Sequence, residues 1–265
     1  MTDTVRSSDG TTIAFDRSGD GPPVVLVGGA LSDRSTASMA GHLAERFTVI
    51  AYDRRGRGDS GDTPPYAVDR EVDDLLALIV DAGGSAFVFG HSSGAVLGLE
   101  AAAHGLPIAK LALYEPPFIV DDSRPEFPRD YVTRLDELVS AGRRGDAVEY
   151  FMTVVVGVPA DMVSQMRSSP MWASMEALAH TISYDGRVMG DAIAGNPQPL
   201  ERWASVTIPT LAMDGGASPT WQRNAVRALV DVLPNVRHRT LEGQDHGPAD
   251  EVLAPALIEF FTSKE

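Results

Sequence analysis

The 265-residue chain has no cysteine, which removes disulfide staples, thiol nucleophiles and cysteine-ligated metals at once. Basic residues are scarce: 22 Lys and Arg stand against 37 Asp and Glu, for a formal net charge of −15. Nucleic acid and anionic lipid surfaces are recognised by clustered cations, so neither is expected as a partner. Long hydrophobic runs are also missing, and LLALIV at 75–80 is far too short to cross a bilayer. The opening MTDTVRSSDGTT has neither the basic nor the apolar region of a secretion signal. These absences predict a soluble, cytoplasmic protein. No H-E-x-x-H pattern or other group of metal ligands occurs, and no cofactor or metal is expected.

What remains is an alternation of apolar strands and helices. Residues 11–15 read as a strand leading into the turn SGDGPP, an opening hairpin with the following strand VVLVGG (24–29). A helix over 33–46, a buried strand FTVIAYD (47–53) and an amphipathic helix over 68–84 follow. AFVFG (86–90), the helix after Ser92 and the strand at 108–117 continue the rhythm. It resumes with IPTLAMDGG (208–216), a helix (219–231), a strand (236–241) and a final helix (248–263). Such alternation predicts an α/β fold with a mostly parallel, doubly wound sheet. The intervening stretch lacks strands and holds six of the nine methionines, as expected of an inserted helical lid. The expected division is a core of residues 1–117 and 206–265 with a cap at 118–205.

The chemistry concentrates in AFVFGHSSG (86–94). A buried strand runs into a helix with no loop, and Gly90 and Gly94 bracket Ser92 in the pattern G-x-S-x-G. That spacing is expected where a serine is forced into a strained turn at a strand tip. A serine hydroxyl needs a base to act as a nucleophile, usually a histidine oriented by a carboxylate. Among six histidines, His246 in LEGQDHG follows the last strand, on the sheet edge expected to carry Ser92. His91 adjoins the serine and is read as packing. An oxyanion hole needs two backbone N–H donors, expected from Ser93 and from Ala30, with Gly29 letting that loop approach the serine.

In order along the chain, VVLVGGA, YDRRGRGDS, FGHSSG, LALYEPP, IPTLAMDGG and EGQDHG resemble the α/β-hydrolase fold, with a cap. Asp53, Arg55, Gly56, Gly58 and Ser60 match the family's D-x-R-G-x-G-x-S loop, which shapes the surroundings of the site without taking part in chemistry. Gly28 stands where many members carry histidine. The family's usual acid follows the seventh strand, but the pattern beginning at Pro209 places Ser218 there. Glu115, at the end of the sixth strand, and Asp214, at the end of the seventh, are the two candidates to replace it.

The resemblance implies a serine hydrolase cleaving an ester, lactone or related acyl bond of a small, largely apolar substrate. Gly29, Phe118 and Trp172 are candidate substrate contacts, and no Arg or Lys cluster in the inserted stretch signals an anionic group. The alternatives are a lyase, C–C hydrolase or cyclase on the same fold, or a binding protein with a degenerate triad.

Overall fold

The computed structural model describes residues 2–124 and 127–264. Eight strands form one sheet: β1 (Thr2–Arg6), β2 (Thr12–Ser18), β3 (Pro23–Val27), β4 (Thr48–Tyr52), β5 (Ala86–His91), β6 (Ile108–Tyr114), β7 (Thr210–Gly215) and β8 (Val236–Leu241). Their spatial order is β1-β2-β4-β3-β5-β6-β7-β8, with β2 antiparallel to both its neighbours, β1 and β4, and every other pair parallel. The helices are α1 (Ala40–Leu43), α2 (Val68–Asp81), α3 (Ser93–Ala103), α4 (Tyr131–Ser140), α5 (Arg144–Tyr150), α6 (Ala160–Arg167), α7 (Met171–Leu178), α8 (Ile182–Met189), α9 (Thr220–Val232) and α10 (Asp250–Thr262). None of the described helices is long and apolar enough to cross a membrane.

Alternation along the central strands divides the core into two layers. Val25, Val27, Val88, Leu111 and Leu113 face one side, where Leu75 and Ile79 of α2, Val96 of α3 and Leu229 of α9 cover them. Val24, Leu26, Phe89, Ala112 and Met213 face the other, beneath Leu43 of α1 and Leu257, Phe260 and Phe261 of α10. Strands covered on both faces read as near-continuous apolar runs, which is why β3, β5 and β6 stand out in the sequence.

Two local expectations give way to tertiary structure. β2 does not form a hairpin with β3; it pairs with β1 through a turn at Ser7–Gly10 and with β4 on its other edge. The SGDGPP link instead passes tightly beneath the entry to β4, where a Cβ on Gly19 would lie 2.3 Å from the carbonyl oxygens of Ala44 and Phe47. The helix expected over 33–46 shrinks to a 3₁₀ turn at Arg34–Thr36 and the short α1. Its polar side chains bond to nearby backbone instead: Asp33 accepts from the Ser35 N–H and Thr36 Oγ1 donates to the Asp33 carbonyl.

Between β6 and β7 lie α4–α8, a π-helical turn at Phe151–Val156 and several 3₁₀ turns. Tyr131, Leu135, Val148, Trp172 and Ile182 form an apolar cluster of their own there. The flanks of the insertion pack elsewhere: Phe118, Val120, Val188, Leu200 and Trp203 join the layer under the sheet.

Candidate active site

β5 passes into α3 through Ser92 alone, at φ 56° and ψ −126°. A non-glycine residue there costs about 1–3 kcal/mol and needs fixing from outside. The fixing is visible: the Ser92 N–H donates to the Tyr114 carbonyl and the Ser92 carbonyl accepts from Ala95, each at 2.9 Å. The bracketing glycines are required by contact. A Cβ on Gly90 would lie 2.5 Å from the Gly94 carbonyl oxygen, and one on Gly94 would lie 2.2 Å from that of Val27. Gly29 is equally confined, its Cβ position being 2.9 Å from the Ser92 Cβ.

His246 lies in the loop after β8 and borders the same cavity as Ser92. Its Nδ1 is 2.8 Å from Glu115 Oε2. Glu115 sits just past β6 at φ 44°, fully buried, and its other oxygen accepts from the Gly215 N–H at 2.8 Å. Burial alone would raise the Glu115 pKa. The hydrogen bond from His246 and that from Gly215 outweigh it and hold the carboxyl below its ordinary value. Asp214 is also fully buried, but its Oδ2 meets His238 Nε2 at 3.0 Å and its Oδ1 has no partner among the described residues. Of the two candidate acids, the structure brings Glu115 to His246 and turns Asp214 to a different histidine. Ser218, at the position of the family's usual acid, is buried beside them.

Two further groups fix His246. Gln222 of α9 places its side-chain amide 2.9 Å from the same Nδ1. The placed atom is Gln222 Nε2, and with the Nδ1 proton donated to Glu115 the amide accepts from the ring only after a half-turn that brings its oxygen there. His91 Nε2 lies 2.8 Å from the His246 carbonyl oxygen, an acceptor, so His91 carries its proton on Nε2. Burial, reinforced by the neighbouring His246, pushes the His91 pKa down to about 4 and keeps the ring neutral. The loop is held once more by the Tyr114 hydroxyl, which donates to the Asp245 carbonyl at 2.5 Å.

The loop after β3 brings Ala30 to the cavity beside Ser92 and Ser93. Its preceding carbonyls are held from behind: Gly29 accepts from Arg57 Nη1 at 2.5 Å and from Ser32 Oγ at 2.7 Å, and Gly28 accepts from Arg54 Nη1 at 3.3 Å. Ser93 opens α3, where first-turn N–H groups have no intrahelical acceptor. Its Oγ donates to Asp185 Oδ1 at 2.7 Å. Asp185, on α8, also receives Arg54 at 2.6 Å and a two-pronged contact from Arg57 at 2.8 and 2.9 Å. Arg54 is in turn matched by both oxygens of Glu71 at 2.7 Å. The arginines of RRGR are therefore buried and paired. Asp53 and Ser60 shape the same loop, Ser60 bridging the Asp53 carbonyl and the Ala14 N–H.

The cavity has a volume of about 210 Å³. Phe127, Tyr131, Phe151, Val155, Met189 and Trp221 provide apolar wall, and Arg124, Asp185 and Gln222 provide polar groups. Phe118 and Trp172 are not part of that lining. Phe118 turns under the sheet and its ring centre lies 5.1 Å from that of Trp203. Trp172 packs within the helical insertion, its Nε1 donating to Glu176 at 2.9 Å. Bulk and apolarity mark both residues, but in this fold both serve packing. Arg124, Asp185, Gln222 and Trp221 were not singled out from the sequence, where they carry no motif. Among the described residues no three His, Asp or Glu side chains converge as metal ligands.

A serine on a strained strand-to-helix turn, beside a histidine backed by a buried carboxylate on a mixed sheet, defines an α/β enzyme fold of the hydrolase type. Residues 24–256 match the model of the Alpha/beta hydrolase family, and the chain belongs to that family. An alpha/beta hydrolase from Sphaerobacter thermophilus DSM 20745 is 64% identical, with 98% of this chain and 100% of that one covered and a TM-score of 0.91. A 2-(acetamidomethylene)succinate hydrolase from Mesorhizobium japonicum is 25% identical over 89% of this chain and 85% of its own length. An uncharacterized Bacillus subtilis hydrolase, YraK, is 41% identical over 98 residues, 34% of this chain, so the match spans only 35% of that protein.

Proposed function

We propose that the protein is a serine hydrolase that cleaves an acyl bond of a small substrate through an acyl-enzyme. The observation that carries this reading is the 2.8 Å contact between His246 Nδ1 and the buried Glu115 carboxylate, on the rim of the cavity that holds Ser92. With the Nδ1 proton engaged by Glu115, His246 Nε2 is the free base. It takes the Ser92 proton as Oγ adds to the substrate carbonyl carbon. The N–H groups of Ala30 and Ser93 receive the charge that develops on the carbonyl oxygen. The intermediate collapses, the leaving group departs with the proton from His246, and water attacks the acyl-enzyme with His246 again as base. The products are an acid and the free leaving group. The named activity of the Mesorhizobium relative is hydrolysis as well.

Intact-protein mass after treatment with a fluorophosphonate tests the assignment. Wild type should gain one adduct and Ser92→Ala none. Glu115→Gln should slow labelling, whereas Asp214→Asn should leave its rate near that of wild type. Turnover by Ser92→Ala should fall by about 10⁶-fold if the three residues act as a unit. An unlabelled wild type, or equal labelling of Ser92→Ala, would overturn the reading. Product analysis then separates hydrolysis from lyase or cyclase chemistry.

A further inference from the structure

Among the described residues, Arg124 is the one arginine or lysine in the lining of the cavity that holds Ser92 and His246. Its guanidinium carbon lies 4.2 Å from the ring centre of Trp221 and 4.5 Å from that of Phe127. One N–H group donates to the Val155 carbonyl. Among the described residues no carboxylate pairs with it. Asp185, the carboxylate in the same lining, is committed to Arg54, Arg57 and Ser93. This contrasts with Arg54, Arg55 and Arg57, each of which is matched to buried acid groups.

Arg124 is partly buried, and a guanidinium withdrawn from water without a counter-charge is disfavoured in proportion to that burial, which one neutral carbonyl does not offset. Burial shows its effect by pushing the Arg124 pKa down to about 10, which still leaves the group cationic at neutral pH. The aromatic neighbours stabilise the charge through their ring faces and limit the freedom of the planar group. A guanidinium carries five N–H donors in a fixed fork, and a carboxylate is the acceptor that matches two of them in plane. One positive charge in an apolar cavity of about 210 Å³ balances a carboxylate monoanion better than a phosphate dianion.

We propose that Arg124 receives a carboxylate of the substrate, so that the molecule cleaved at Ser92 is an acyl compound bearing a second, ionised carboxyl group. This rests on the assignment of Ser92 as nucleophile and narrows the expected substrate from a largely apolar one to an amphiphilic acid. The carboxylate supplies a counter-charge that no described residue gives, and the apolar wall receives the carbon chain that joins it to the scissile carbonyl.

The test compares 4-nitrophenyl butyrate with the 4-nitrophenyl half-ester of glutaric acid, which adds a terminal carboxylate to a short acyl chain. The ratio of kcat/KM for the charged and neutral esters is measured in wild type, Arg124→Met and Arg124→Lys. Wild type should favour the charged ester, and Arg124→Met should lower the ratio by about 100-fold, the scale of a lost charge-assisted contact. Arg124→Lys should recover part of it. A ratio unchanged between wild type and Arg124→Met would overturn the proposal. A second arm needs no turnover: calorimetry of glutarate with Ser92→Ala should show binding that Ser92→Ala/Arg124→Met lacks. Absence of binding to Ser92→Ala, or equal binding to both, also overturns it. If wild type neither labels with fluorophosphonate nor cleaves either ester, the hydrolase reading fails by itself, and the glutarate arm still decides the role of Arg124.

Discussion

His91 shows what a neighbour of Ser92 contributes through its own protonation state. It is held neutral with a pKa near 4, whereas an unfolded histidine titrates near 6.5. Between those values the unfolded chain binds a proton that the native protein refuses, so stability falls as pH drops through this window. The loss should be about 3 kcal/mol between pH 7 and pH 4. Urea midpoints across that range should fall more steeply for wild type than for His91→Gln, and parallel profiles would show that the ring titrates normally. At this scale the sequence was partly legible. Ser92 is legible because its glycine spacing is set by contacts a few residues away. His246 and Glu115 are legible because strand ends collect at one edge of a doubly wound sheet. Choosing Glu115 over Asp214 required coordinates, since both end apolar strands and only the curl of the chain at φ 44° turns the first toward His246. Arg124 and Gln222 act through contacts to segments far away in the chain, and no local pattern announces such contacts.

Asp185 joins two elements 128 residues apart in the chain, α8 and the loop carrying Arg57. With Arg54, Arg57 and Glu71 it forms a buried set of two cations and two anions, in which burial opposes ionisation and the arginines nevertheless hold the Asp185 pKa below its usual value. Removing one partner leaves a buried charge uncompensated, which costs about 3–5 kcal/mol. Asp185→Asn should therefore lower the urea midpoint by that equivalent and slow fluorophosphonate labelling, because the Ser93 hydroxyl loses an ionised acceptor. A change in stability below about 1 kcal/mol would show that the set is not a clamp. The elements themselves were well anticipated wherever a strand is covered on both faces or a helix has one apolar stripe, as in β5 and α2. They were misread at β2 and at 33–46. There the partner strand lies outside the local sequence, and Asp33 and Thr36 bond backbone groups in competition with a helix.

The whole chain carries a net charge of −15, yet Arg54, Arg55 and Arg57 behind the site are buried in matched sets. The excess negative charge is therefore spread over the exterior, where its self-repulsion is screened by salt while the buried pairs are not. Raising sodium chloride from about 20 mM to about 200 mM should raise the thermal midpoint by a few degrees, with a smaller further gain at higher salt. A midpoint that falls would mean that exposed pairs such as Arg239–Glu259 outweigh the repulsion. Ser92, His246, Glu115 and Ala30 all come from the sheet-bearing part of the chain, while much of the cavity wall comes from the insertion. That separation gives the molecule modular character: a gene carrying the same sheet with another insertion would keep its reacting groups and acquire a new specificity. The exchange is tethered at the site itself. Asp185 grips Ser93 and both arginines behind Gly28 and Gly29 from within the insertion, so a donor segment must bring its own carboxylate to that point if the inherited machinery is to keep its shape.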